Sequence, residues 1–66
     1  MTLPLITRLV NFVQAEFGVS NAEVSAALHH EGGAAHLPIV LWQYGFISLR
    51  QLERLFDWLE AERVQV

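Results

Sequence analysis

The chain has 66 residues, a formal net charge of −3 and no cysteine. A chain of this length buries only about 60% of the surface it exposes when unfolded, so a single domain over residues 1–66 is expected, and disulfides, thiolate zinc sites and cysteine nucleophiles are excluded. All four basic residues are arginines, Arg8, Arg50, Arg54 and Arg63, set against seven acids, a balance opposed to binding nucleic acid or an anionic membrane surface.

Apolar residues make up 53% of the sequence. So small a domain cannot hide that much apolar surface, and a homodimer or a stable complex with another protein is expected. No apolar run approaches the ~20 residues of a membrane-spanning helix. The N-terminus lacks the charged start, long apolar stretch and small-residue cleavage site of a signal peptide, which points to the cytoplasm.

The first predicted helix runs from about Leu3 to Phe17, with Pro4 in its first turn, where a missing amide hydrogen costs nothing. At 100° per residue, Leu5, Ile6, Leu9, Val10, Phe12, Val13 and Phe17 share one broad arc, and Thr7, Arg8, Asn11 and Gln14 occupy the other side. Gly18 ends it. The second helix opens on a capping box, Ser20 with Glu23, flanked by Val19 and Val24 as a hydrophobic staple. It runs to about His30 with Val24, Ala27 and Leu28 inward, a thin stripe that makes it the least stable of the helices.

After Gly32-Gly33, a third helix spans about Leu37 to Tyr44 with Pro38 at an early position. Ile39, Val40, Leu41 and Trp42 are consecutive, so the helix is apolar on nearly every side, which implies burial all round or burial in an interface. Gly45 fits the left-handed position that stops a helix. The fourth helix repeats the start signal, with Ser48 and Gln51 as the box and Ile47 and Leu52 as the staple. Leu49, Leu52, Leu55, Phe56 and Leu59 share one face, away from Arg50, Glu53, Arg54, Asp57 and Glu60.

These elements predict an all-α domain of four short helices arranged as two helical hairpins. The expected core is Leu9, Phe12, Val13, Val24, Leu28, Leu41, Leu52, Phe56 and Leu59. The hairpins echo one another: Phe17-Gly18-Val19-Ser20 before Glu23-Val24 parallels Tyr44-Gly45-Phe46-Ile47-Ser48 before Gln51-Leu52. Convergent stop and start chemistry accounts for this, and a duplicated hairpin is the alternative.

The stretch Leu37-Pro38-Ile39-Val40-Leu41-Trp42-Gln43-Tyr44-Gly45, followed by Phe56-Asp57-Trp58-Leu59-Glu60, resembles a family of short cyanobacterial proteins grouped as a domain of unknown function. The resemblance covers the C-terminal third well and the first helix loosely, and it implies a small helical fold with no activity attached. A weaker likeness is to the helical N-terminal domains of type II secretion and pilus ATPases, some of which bind cyclic dinucleotides. Their Arg-Leu-Gly start is replaced here by Leu37-Pro38-Ile39.

Residues with reactive chemistry are sparse. His29, His30, Glu31 and His36 cluster in sequence, but neighbouring His29 and His30 diverge by about 100° on a helix and a Gly-Gly pair separates them from His36. Histidines near a helix C-terminus favour its dipole without any metal, so neither a metal nor another cofactor is expected. Ser20 and Ser48 are accounted for as caps, Ser25 has no strand-turn-helix elbow to expose it, and Asp57, Glu60 and Glu62 read as a solvated face. No catalytic residue is assigned.

The remaining signal is aromatic. Trp58 lies off the leucine stripe of the fourth helix beside Arg54 and Gln51, either folded over a neighbouring helix or serving as an interface anchor, with Arg54 one turn earlier placed to stack on it. Trp42 and Tyr44 extend such a surface onto the third helix. On this reading Trp58→Ala weakens association and leaves the fold intact, whereas Trp42→Ala unfolds the domain. The expected function is a non-catalytic interaction module bound through Trp58, Arg54, Gln51, Trp42 and Tyr44. A helix-turn-helix nucleic-acid binder is the alternative, opposed by the acids on the fourth helix, and a small-ligand sensor with a pocket between the hairpins comes third.

Overall fold

A computed structural model of the chain describes residues 3–64 and shows four α-helices: α1 (Leu5–Phe17), α2 (Asn21–His29), α3 (Leu37–Gln43) and α4 (Leu49–Val64). No strand occurs among the described residues. Pro4 is the residue preceding α1, at φ −55° and ψ 149°, so the helix starts two residues later than its apolar pattern suggests.

Both predicted capping boxes are formed. The Glu23 amide donates to Ser20 Oγ at 3.1 Å and the Ser20 amide donates to Glu23 Oε1 at 2.8 Å. Ser48 and Gln51 repeat the exchange at the same two distances. Two orphan amides at each helix start are satisfied in this way. The staple residues Val19, Val24, Ile47 and Leu52 are all buried, so each cap fixes the entry of its helix and seats apolar groups in the core.

Gly18 and Gly45 end α1 and α3 in the left-handed region, at φ 71° and 79°, where a Cβ would be penalised. Their closures differ. At Gly45, the Phe46 amide donates to the Leu41 carbonyl and the Gly45 amide to that of Trp42, each at 2.9 Å, the paired bonds of a Schellman stop. At Gly18 the return is wider, from the Val19 amide to Val13 at 3.3 Å.

The seven-residue α3 packs against both α2 and α4, and α1 packs against α4. Leu37, Pro38, Val40 and Leu41 are buried, which accounts for a helix apolar on most sides. One cluster forms the core, drawing Leu9 and Val13 from α1, Val24 and Ala27 from α2, Leu37, Val40 and Leu41 from α3, and Leu52 and Leu55 from α4, together with Val19 and Ile47.

Of the expected core residues, Phe12 and Leu59 are partly buried and pack against this cluster, and two others lie outside it. Leu28 is 38% exposed and Phe56 44% exposed, while Ala27 and Leu55 are fully buried in their stead. On α2 the small side chain of Ala27 faces inward. On α4 the apolar arc is wider than its neighbours cover, and the side under α1 and α3 is centred on Leu55 and Leu59.

Candidate functional site

The five residues expected to bind a partner divide into two groups. Gln51 is committed to the α4 cap, its Oε1 accepting from the Ser48 amide. Trp58 is half-buried and lies over α1, stacked on Phe12 with ring centroids 4.9 Å apart and planes 21° from parallel. The Arg54 guanidinium sits 5.8 Å from the centre of the Phe17 ring, so its cation–π partner is Phe17 on α1. These three side chains are therefore engaged within the fold, and the expected stack of Arg54 on Trp58 is not the contact formed.

Trp42 and Tyr44 are placed differently. Trp42 is 42% and Tyr44 44% exposed, although they lie in the last turn and at the C-cap of the most buried helix. Tyr44 meets the ring of Phe46 edge-on at 5.4 Å and that of His30 at 5.7 Å, which links the end of α2 to the end of α3. Of the two placements expected for Trp58, the one formed folds it over a neighbouring helix, tying α4 to α1, while Trp42 is exposed. On α4, Leu49 is 58% and Phe56 44% exposed, adding large apolar groups that the pattern had placed inside. Their signal in the sequence was the breadth of the α4 arc.

The carboxylates are also not uniformly solvated. Glu62 holds an ion pair with Arg8 of α1, and its side chain is only 14% exposed. Arg8 Nε also donates to the Leu3 carbonyl at 3.2 Å. Glu60 approaches Arg63 at 3.9 Å, with both side chains more than 70% exposed.

An apolar groove of about 310 Å³ lies between α1 and the start of α3, walled by Ile6, Leu9, Ala34, Ala35, Pro38 and Leu59. Specific ligand sites combine apolar walls with a few placed polar groups, and no polar side chain lines this groove. The groove supplies burial without orientation.

Each histidine makes its own local contact. His29 Nδ1 lies 3.4 Å from Ser25 Oγ, His30 Nδ1 lies 2.8 Å from the Glu31 carbonyl oxygen, and the His36 amide donates to the Gly32 carbonyl at 2.9 Å as α3 begins. No group of three or more His, Asp or Glu side chains among the described residues is placed to hold a metal ion. No helix is long and apolar enough to cross a membrane among the same residues.

A family model described as a protein of unknown function, DUF2949, matches residues 6–60. The match extends well beyond the 37–60 stretch and takes in α2, α3 and most of α1 and α4. No curated protein and no solved structure matches the chain.

Proposed function

The chain belongs to the DUF2949 family, whose description carries no activity, and on that premise we propose that it is a non-catalytic interaction module that docks a protein partner through the outer surface of α3 and α4. The observation that carries the reading is the exposure of Trp42, Tyr44, Leu49 and Phe56, each more than 40% open to solvent, on α3, its C-terminal cap and α4, which pack against one another. Exposed apolar patches mark interaction sites when they are contiguous, and aromatic anchors of this kind dominate binding energetics. Within the reading, Trp42 and Tyr44 are the anchors, while Trp58, Arg54 and Gln51 hold the surface in shape from within.

The acids Glu53, Asp57 and Glu60 on the open side of α4 support a protein partner over a nucleic acid, since each would face phosphates in a helix-turn-helix docking. A cytoplasmic address and a larger cyanobacterial complex or regulator as the docking platform belong to the same proposal. The test is an affinity capture from cyanobacterial lysate with wild-type protein and a Trp42→Ala/Tyr44→Ala variant, paired with light scattering on the pure protein. A defined partner retained by the wild type and lost by the variant is the expected result. A strictly monomeric protein that retains the same background as the variant would overturn it.

A further inference from the structure

We propose that the outward stripe Leu49, Glu53, Phe56 and Glu60 of α4 is a docking edge for a basic amphipathic helix of a partner protein; this rests on the interaction reading above and names the chemistry of its partner. The spacing of four, three and four residues puts one of these side chains on each successive turn within a narrow arc. All four are exposed, with apolar anchors at Leu49 and Phe56 alternating with carboxylates at Glu53 and Glu60. Glu53 has no ion pair among the described residues, and the exposed contact of Glu60 with Arg63 at 3.9 Å offsets little of its charge.

The alternation argues against a second copy of this chain as the occupant. Two α4 helices packed about a two-fold axis along this stripe bring Glu53 against Glu60 when centred on Phe56, and against its own copy when Phe56 meets Leu49. Parallel packing sets each carboxylate opposite itself. Those arrangements oppose like charges beside a desolvating apolar contact, and the remaining two-fold register, Glu53 against Phe56 and Glu60 against Leu49, sets unpaired carboxylates against apolar groups; each costs association energy. A helix with aliphatic residues facing Leu49 and Phe56, and Lys or Arg one turn from each, satisfies both halves of the pattern. Its basic side chains would lay their stems on the apolar anchors and present their charges to Glu53 and Glu60.

The experiment titrates the full chain into two fluorescently labelled helical peptides of about four turns, read by anisotropy. One peptide presents Leu and Lys alternately on successive turns of a single face, and the other presents Leu and Glu. Wild-type protein is expected to bind the Leu/Lys peptide at micromolar strength and the Leu/Glu peptide at least about tenfold more weakly, the equivalent of ~1.4 kcal/mol. Phe56→Ala, at an exposed position, weakens the first complex by a similar factor. The double swap Glu53→Lys/Glu60→Lys reverses the preference. The control swap Glu16→Lys/Glu31→Lys makes the same change in net charge away from the stripe and costs less than about threefold, as screened long-range attraction predicts.

Equal binding of the two peptides, equal loss in both charge swaps, or no binding to either peptide would each overturn the partner assignment. Light scattering on wild type and Phe56→Ala, run alongside, separates the two levels of the argument. A dimer that Phe56→Ala dissociates makes a second copy the occupant, overturning this inference and leaving the interaction reading intact. The lysate capture decides that reading independently of the peptides.

Discussion

The placement of the two tryptophans yields a sharp test of the fold. Trp58 stacks on Phe12 and is half-buried, joining α4 to α1. Full truncation of a buried tryptophan costs ~3–5 kcal/mol, and a stacked aromatic pair adds ~0.5–1.5 kcal/mol beyond area. With part of the Trp58 ring still in water, Trp58→Ala is expected to cost about 3 kcal/mol. Trp42, at 42% exposure, still buries more than half of its surface and is expected to cost about 2 kcal/mol. Domains of 60–100 residues lose roughly 4–8 °C in Tm per kcal/mol, so the two variants should melt about 4–8 °C apart, with Trp58→Ala the lower. Thermal melts followed by far-UV circular dichroism measure this directly. A double-mutant cycle of Trp58→Ala with Phe12→Ala should return a coupling of about 1 kcal/mol for the stack. Equal Tm losses in the two tryptophan variants, or a cycle that closes to zero, would refute the account of how α1 is held.

Ser48→Ala removes the acceptor for the Gln51 amide and should lower stability by about 1 kcal/mol, read as a chemical-denaturation midpoint shift at constant m. Gly33→Ala should be worse, about 2 kcal/mol or more, because a Cβ there collides with the Ala27 carbonyl oxygen and no rotamer relieves a clash with backbone. Soluble protein with an unchanged melt would contradict that close approach. Glu62→Gln should cost about 1 kcal/mol at low ionic strength, and the deficit should shrink as salt is raised, since Arg8 and Glu62 are only part-buried. Titration calorimetry with zinc is expected to show no binding tighter than micromolar, because the three histidines do not converge.

Helix starts and stops were legible because their chemistry is local. Ser20 with Glu23, Ser48 with Gln51, and the valine and isoleucine before each cap are decided by residues within one turn. The phase of each apolar face was less so. On α4 the arc from Trp58 through Leu55 and Leu52 to Phe56 and Leu49 is wider than its neighbours can cover, and which edge stays wet depends on where α1 docks. It docks on the side of Trp58 and Glu62, which leaves Leu49 and Phe56 open. The candidate surface shifted for the same reason. A tryptophan off the leucine stripe signals an unusual neighbour, and periodicity within one helix carries no information on whether that neighbour belongs to the same chain.

The attachment of α1 to α4 also sets an order of events. Contacts of α2 with α3, and of α3 with α4, join elements adjacent in sequence, whereas α1 meets α4 only after more than thirty intervening residues are folded back. Closing that long loop is the entropically expensive step, and it is rewarded only once α4 presents a surface to land on. The last three helices should therefore form the folding nucleus, with α1 arriving after the rate-limiting barrier. In kinetic terms, truncations at Phe12 or Trp58 would leave the refolding arm of a chevron nearly in place and steepen loss through the unfolding rate. Truncations at Leu41 or Leu52 would slow refolding. The N-terminal helix would then be the first to detach under native conditions, opening the core from the side that carries the Arg8 latch.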